Sequence, residues 1–383
     1  MFYFDNAATT YPKPVCVVNA VRNALVSYGG NPGRGGHNMA MKVSEKIYSV
    51  RSAAAEFFNT ELQNVVFTQN CTMSLNMAVK GVLKEGDHVI ISCLEHNAVI
   101  RPIHKLQKDG IITYDIAKVY EGDTRKTVRS FENLIQDDTR AIVCTQASNV
   151  TGVILPIREI GALCKKYGIL FIVDAAQSAG VLPIDMQDCN IDIICMPGHK
   201  GLYGTPGSGM LLLNGEQTLQ TILEGGTGSL SASLDQPDFS PDRFEAGTIN
   251  TPGILSLGAG MSFIRCIGQE KIYRHEFDIC KMVYEELAGL DNVCVYNREY
   301  IYGETAPIVS FNIHGVPSET VVSELNCRGF ALRGGLHCAP LAHRFYGTLD
   351  SGMARFSPSA FSTQAQAELF VRNVKTICKK LSG

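Results

Sequence analysis

The chain has no marked excess of charge of either sign. Its 34 Lys and Arg stand against 37 Asp and Glu, a net charge of −3 over 383 residues, and the basic residues gather into no stripe. The electrostatic footprint that nucleic acid or an anionic membrane surface requires is missing, so neither is expected as a partner. No apolar run is long enough to cross a bilayer. The opening segment Met1-Phe-Tyr-Phe-Asp-Asn-Ala-Ala-Thr-Thr lacks the charged and apolar regions of a secretory signal. These absences lead us to expect a cytoplasmic protein. The 13 cysteines, scattered from Cys16 to Cys378, include no CxxC pair and no Cys/His cluster at zinc-finger spacing. We therefore expect no metal site and, in a reducing compartment, mostly free thiols that behave as small hydrophobes. Internal repeats and low-complexity tracts are also missing. So is a GxGxxG between an early strand and helix with an acidic residue about 20 positions further on, which argues against a nicotinamide dehydrogenase.

What is present is the composition of an ordinary globular protein, 45% hydrophobic and 19% charged. At roughly 150 residues per domain the length suggests two or three units. From about residue 60 to residue 215, short apolar runs alternate with helical patterns: Val65–Thr68, His88–Ser92, Ala141–Thr145, Ile169–Asp174, Asp192–Met196 and Gly209–Leu213. Near-continuous apolar runs of this length predict strands of a mainly parallel sheet buried on both faces. The segment Ile157 to Tyr167 has apolar residues at helical spacing and stops at Gly168. After the Gly-rich Glu224-Gly-Gly-Thr-Gly-Ser, the pattern changes to a helical region from about Leu255 to Leu290, strands near 308–313 and 331–333, and a final helix over about 363–381. The expected fold class is α/β. Residues 15–254 are expected to form the large domain and 255–383 a smaller α+β domain, with segment 1–14 packing on the latter.

The chemistry-bearing residues concentrate where strands end. Phe171-Ile-Val-Asp174-Ala-Ala-Gln177 closes one apolar strand with an acid, and Met196-Pro-Gly-His199-Lys200-Gly follows the next, placing Lys200 26 residues after Asp174. Both belong at the carboxyl edge of the sheet, where open α/β sheets bind ligands. In a pyridoxal phosphate enzyme a lysine forms the Schiff base, and an aspartate keeps the pyridine nitrogen protonated so that the ring accepts electrons from the substrate Cα. Taken alone, the two residues fit a strand-end aspartate and a surface lysine equally well.

Further segments widen the basis: Tyr3-Phe-Asp-Asn-Ala-Ala-Thr-Thr, Glu95-His-Asn-Ala, Ser148-Asn-Val-Thr-Gly, Val173-Asp-Ala-Ala-Gln, Gly198-His-Lys, Phe244-Glu-Ala-Gly-Thr-Ile-Asn and Arg333-Gly-Gly-Leu-His-Cys-Ala. In these motifs, spread over nearly its whole length, the chain resembles the class V aminotransferase superfamily and, within it, the group II cysteine desulfurases and selenocysteine lyases. The resemblance implies the fold type I architecture and pyridoxal 5′-phosphate as cofactor. It makes Lys200 the Schiff-base lysine that later moves the Cα proton, Asp174 the partner of the pyridinium nitrogen, and Gln177 a hydrogen-bond partner of the ring hydroxyl. His96 is similar to the imidazole that stacks on the ring and assists proton transfer, although a lone histidine is more often structural. Cys71, Thr72 and His199 are implied for the phosphate cup, with Asn70 at the helix start. Thr248 resembles a residue that reaches the phosphate of a neighbouring subunit, implying a homodimer with a shared active site.

By the same resemblance Cys338 is the nucleophile, in an electropositive loop beside His337 and Arg333 of the kind that activates thiols. Arg355 matches the arginine that clamps the substrate α-carboxylate, a task suited to a planar guanidinium. Otherwise it is a surface arginine of an edge strand. Arg34 and His37 resemble an active-site loop, Asn149 a cofactor or substrate contact, and Arg333 a substrate-side residue. The chain departs from the pattern at Cys71 and Pro197, where hydroxyl residues are common, and at Leu336, where many members have a second histidine. Fewer side-chain donors around the phosphate imply looser binding unless backbone amides compensate. The implied reaction converts L-cysteine to L-alanine, leaves a persulfide on Cys338 and passes the sulfur to an acceptor, with a protein acceptor expected. Selenium release from L-selenocysteine is the nearest alternative. Transamination and epimerisation use much the same cofactor residues without needing Cys338, and a non-catalytic sulfur-relay scaffold is a reading of another class.

Overall fold

The computed structural model describes residues 1–33, 36–215 and 219–381, with Leu381 described by its backbone alone. In chain order the first part comprises β1 (Phe2–Tyr3), α1 (Val15–Val26), α2 (Asn38–Phe58), β2 (Val65–Thr68), α3 (Cys71–Val82), β3 (His88–Ser92), α4 (Asn97–Lys108), β4 (Thr113–Ala117), α5 (Thr124–Glu132), β5 (Thr139–Thr145), α6 (Ile157–Tyr167), β6 (Leu170–Asp174), β7 (Ile193–Pro197) and β8 (Gly209–Leu213). Among the described residues, seven of these strands join in the order β2-β8-β7-β6-β5-β3-β4. Strands β3 to β7 run parallel, while β8 is antiparallel to both of its neighbours. The sheet is α/β and mainly parallel, as expected.

Side chains alternate across this sheet with the two-residue period of a strand. Ile142, Phe171, Val173, Ile194 and Met196 enter one core with residues of α2, α6 and α7 (Thr251–Ile267), whereas Val143, Ile172, Ile193 and Cys195 enter another with α3 and α4. Burial on both faces explains why the central strands read as continuous apolar runs. Strand β4, which the apolar pattern does not reveal, lies at the edge. Thr113 and Ile116 are exposed, Tyr114 and Asp115 half-buried and Ala117 buried, and an edge strand tolerates that mixture.

The remainder comprises α8 (Gln269–Ala288), β9 (Val293–Val295), β10 (Val309–Ile313), α9 (Ser318–Cys327), β11 (Phe330–Ala331), α10 (Pro340–Phe345), β12 (Ala354–Phe356) and α11 (Gln364–Leu381). A third core is built from α8, β10, α9, β12 and α11, and Phe4 is buried in it beside Phe356. The N-terminal β1 pairs in parallel with β11. The helical region expected over 255–290 is two helices, because Gly268 adopts φ 96° and breaks it. Helix α7 packs in the same core as α2 and α6, and α8 mostly in the third core. We propose Gly268, rather than residue 254, as the division between a large and a small unit. The strand expected at 331–333 is shorter, and Arg333 instead forms an isolated antiparallel bridge with Arg355. None of the described helices is long and apolar enough to cross a membrane.

Candidate active site

The carboxyl ends of β2, β3, β5, β6 and β7 open onto one cavity of about 220 Å³. Asp174, the last residue of β6, is 2% exposed at its wall. Two donors hold its Oδ1, the Ala176 N–H at 2.9 Å and the Cys71 thiol at 3.4 Å, leaving Oδ2 for a ligand. Lys200 also lines the cavity, three residues beyond β7. Glycines bracket this turn for steric reasons. A Cβ on Gly198 would overlap Ser208 and Leu257, and one on Gly201 would overlap the Ala179 carbonyl. The N-terminal segment grips the same turn, since the His199 carbonyl accepts from the Thr10 N–H at 3.0 Å and from Lys13 Nζ at 2.9 Å.

Electrostatics in this chamber are governed by burial. Lys200 forms no ion pair with Asp174 within 4 Å. Burial pushes its ammonium down from the ordinary lysine range and the Asp174 carboxyl up. His96 caps α4, its Nδ1 accepting from the Ala98 N–H at 3.0 Å, so the ring proton is assigned to Nε2. Burial, then the charge of Lys200, lowers its pKa to about 4, and the imidazole is neutral. His199 is likewise lowered to about 4, chiefly by burial. Its buried Nδ1 has no hydrogen-bond partner.

On the small-unit side the Arg333–Arg355 bridge carries two guanidinium groups to the same cavity. Arg355 is 1% exposed, which removes the reading of a surface arginine. It donates to Asp5 Oδ1 and to the Asn149 carbonyl, both at 2.8 Å, while its buried Nε has no partner. Asn149 also donates its amide to the His337 carbonyl at 2.8 Å, joining the arginine to the following loop. There, His337 and Cys338 both adopt left-handed backbone, with φ 47° and 57°, a conformation that costs non-glycine residues about 1–3 kcal/mol each. Cys338 stands exposed at the rim. A guanidinium nitrogen of Arg333 donates to its sulfur at 3.6 Å.

Comparison with known proteins bears directly on this arrangement. The model of the family described as aminotransferase class V matches residues 2–370. The chain belongs to the class V aminotransferase family. It is 31% identical to a probable cysteine desulfurase of Methanothermobacter thermautotrophicus, over 98% of this chain and 94% of that protein. It is also 31% identical to a probable cysteine desulfurase of Pyrococcus abyssi, over 100% and 95%. The apo structure of a cysteine desulfurase from Thermococcus onnurineus superposes with a TM-score of 0.91 at 30% identity, covering 99% of this chain and 95% of that one. The fold is that of class V aminotransferases, and the cofactor of such enzymes is pyridoxal 5′-phosphate.

The residues of this class V chain fit that cofactor. A lysine, a carboxylate with one oxygen left over, an unpartnered imidazole nitrogen and the N-terminus of α3 border one polar chamber. The first-turn N–H groups of α3 suit a phosphate, and Asn70 caps the helix by accepting from the Met73 N–H at 2.9 Å. The Cys71 thiol donates to Asp174, which leaves the backbone N–H of Cys71 as its donor toward a phosphate, the compensation that this departure from the family pattern calls for. One expectation needs correction. His337 supplies no positive charge to the thiol. It is buried against the Met353 carbonyl at 2.9 Å, and desolvation drives its pKa to about 2.

Other expected residues separate into two groups. Thr72 and Gln177 line the cavity with Asp174 and Lys200, although Gln177 Nε2 is engaged by the Ala7 carbonyl at 3.0 Å. His37 and Thr248 are exposed and lie outside its lining. His37 caps α2 by accepting from the Ala40 N–H at 3.3 Å. Arg34 lies outside the described residues. Three polar residues without an expected role support the chamber: Asp5 beneath Arg355, Lys13 on the His199 carbonyl, and Glu95. The last is fully buried between Ser92 and the Thr145 N–H, with its carboxyl raised to about 8 by desolvation.

Proposed function

We propose that this class V enzyme is a cysteine desulfurase that converts L-cysteine to L-alanine and loads the sulfur onto Cys338. The observation that carries the reading is the placement of Arg333, which lines the cavity and at the same time touches an exposed thiol at its rim. Transamination needs the chamber but has no use for that thiol.

When bound, pyridoxal phosphate supplies a sink for the electron pair left at the substrate Cα. Lys200 would carry the cofactor, and its amine is placed to move the Cα proton. Its lowered proton affinity suits a base. Asp174 would hold the ring nitrogen, and His199 and the α3 N-terminus with Thr72 would hold the phosphate. His96, neutral with its proton on Nε2, offers a ring face and a donor. Arg355, with Asn149 beside it, receives the substrate carboxylate. The Cys338 thiolate attacks the substrate sulfur and the carbon–sulfur bond breaks, giving alanine and a persulfide. The rim position of Cys338 suits delivery to a protein acceptor.

A homodimer accounts for the residues left outside the cavity. Val15, Leu25 and Val26 of α1, Met39 and Tyr48 of α2, and Leu230 and Leu234 of a nearby loop are exposed apolar residues that a second copy would cover. His37 and Thr248 are exposed as well, and in the proposed dimer they serve the partner's site. All 13 cysteines are free, in keeping with a cytoplasmic location. The test is to supply purified protein with pyridoxal phosphate, L-cysteine and a thiol reductant. Equimolar alanine and sulfide are expected; a cofactor-loaded protein that yields neither contradicts the reading.

A further inference from the structure

A second cavity, of about 40 Å³, lies behind Lys200. It shares Ala7, Gln177 and Lys200 with the lining of the larger cavity, so these residues form a wall between the two. Tyr203 and Glu276 border it as well, the latter reaching in from α8. Glu276 is 5% exposed, and it accepts from the Tyr203 hydroxyl at 3.3 Å. That oxygen in turn accepts from the Ala360 N–H at 3.2 Å. Tyr203 is placed by a left-handed backbone, φ 57°, and its N–H closes a turn on the Lys200 carbonyl at 2.8 Å. A bulky residue holds that conformation only where its surroundings enforce it. A buried carboxyl with a lysine on the wall of the same small cavity is rare, and the reaction steps assigned above do not use it. A polar space of this size accommodates ordered water.

We propose that Glu276 is a positioning residue for Lys200: through water in the rear cavity it exchanges a proton with the lysine nitrogen and sets the protonation state in which that lysine acts. This deepens the function proposed above and rests on Lys200 being the cofactor-bearing lysine. The exchange balances by itself. A proton on the lysine nitrogen passes to the water and the water gives one of its own to the carboxylate, leaving a neutral acid and an unprotonated nitrogen; the reverse restores both. Burial pushes the Glu276 carboxyl up to about 8 and the Lys200 ammonium down, which draws their proton affinities together. Glu276 is also faced by Tyr203 and Cys280. Lys200 is faced by Asp174 and Cys71, which favour its charge, by Arg355 and Arg333, which oppose it, and by His96 and His199.

The experiment is a pH titration of the visible absorption of the holoenzyme without substrate, which reports the proton on the lysine nitrogen. Above about pH 8, where the Glu276 carboxyl is ionised, replacing it by a neutral amide withdraws support from the positive charge, so Glu276→Gln is expected to move the titration there to lower pH by about half a unit or more. Tyr203→Phe is expected to move it the same way, because without the hydroxyl donor Glu276 stays protonated to higher pH. If Glu276→Gln does not fold, Tyr203→Phe carries the test. Folded variants with the wild-type midpoint overturn the inference. Borohydride reduction and peptide mapping separate its failure from that of the underlying reading. Cofactor trapped on Lys200 with an unmoved midpoint sinks only the role of Glu276, whereas trapping at another residue sinks both.

Discussion

Arg333 donates to the sulfur of Cys338 across 3.6 Å, and it is the one point where the cofactor chamber and the rim thiol are joined by a charged side chain among the described residues. The residue expected to share that task, His337, is buried and neutral. Negative charge that develops on the sulfur is therefore met by Arg333. A hydrogen bond to a charged group contributes about 1.5–3 kcal/mol, so Arg333→Gln is expected to slow alkylation of Cys338 by iodoacetamide roughly 10- to 100-fold. Measuring this in the cofactor-free protein removes any effect on substrate binding. An unchanged rate would mean that the contact does not activate the thiol.

Asp174 offers a second test. With Oδ1 occupied by Ala176 and Cys71, Asp174→Asn keeps the shape of the site but loses the charge that holds a protonated ring nitrogen. Removing a preorganised electrostatic partner of this kind lowers kcat by about 10²-fold or more. Lys200→Ala is expected to abolish turnover altogether and to release the cofactor on gel filtration. Retention of a covalently bound cofactor in that variant would identify a different lysine.

How much of this was legible in the sequence follows from how local each signal is. Asp174 ends one apolar strand and Lys200 follows another by three residues, and period and composition suffice to put strand ends at one edge of a sheet. Helix α6 is legible for a similar reason, since its apolar spacing runs directly into Gly168, which adopts φ 67°. The Asp5–Arg355 pair joins positions 350 residues apart, and Glu276 meets Tyr203 across 73. No periodicity reports such partners. The direction of the Cys71 thiol and the burial of His337 depend on side-chain packing that the motif does not encode, and for His337 the expectation required correction.

Glu95 predicts a pH dependence of stability. Its carboxyl titrates near pH 8 when folded against an ordinary glutamate value of 4.5. Between those values the unfolded chain has released the proton that the folded chain still binds, so this group's contribution falls as pH rises from about 4.5 to about 8. Glu95→Gln imitates the neutral acid and removes that slope. Urea unfolding across this range is expected to show the variant gaining on the wild type with rising pH. A difference independent of pH would place the Glu95 proton elsewhere.

The segment that carries Thr248 is anchored by a buried ion pair. Arg51 makes two 2.8 Å contacts with Glu245, both side chains are 8% exposed, and Glu245 also accepts from the Phe67 N–H at 2.7 Å. Removing one partner strands the other charge, at a cost of about 3–5 kcal/mol. Arg51→Leu is thus expected to lower the urea midpoint strongly, while replacing both residues by apolar ones of similar volume should restore much of the loss. Equal destabilisation in the single and double variants would contradict this account.

The central claim is that sulfur passes from L-cysteine onto Cys338. Intact-mass analysis and peptide mapping of the holoenzyme, quenched during turnover without reductant, test it most directly. The account predicts a chain heavier by one sulfur atom, with the added sulfur on the peptide bearing Cys338. In Cys338→Ala it predicts no added sulfur and no sulfide or alanine, with the cofactor spectrum unchanged. Undiminished alanine formation in Cys338→Ala, or sulfur mapped to another cysteine, would contradict it.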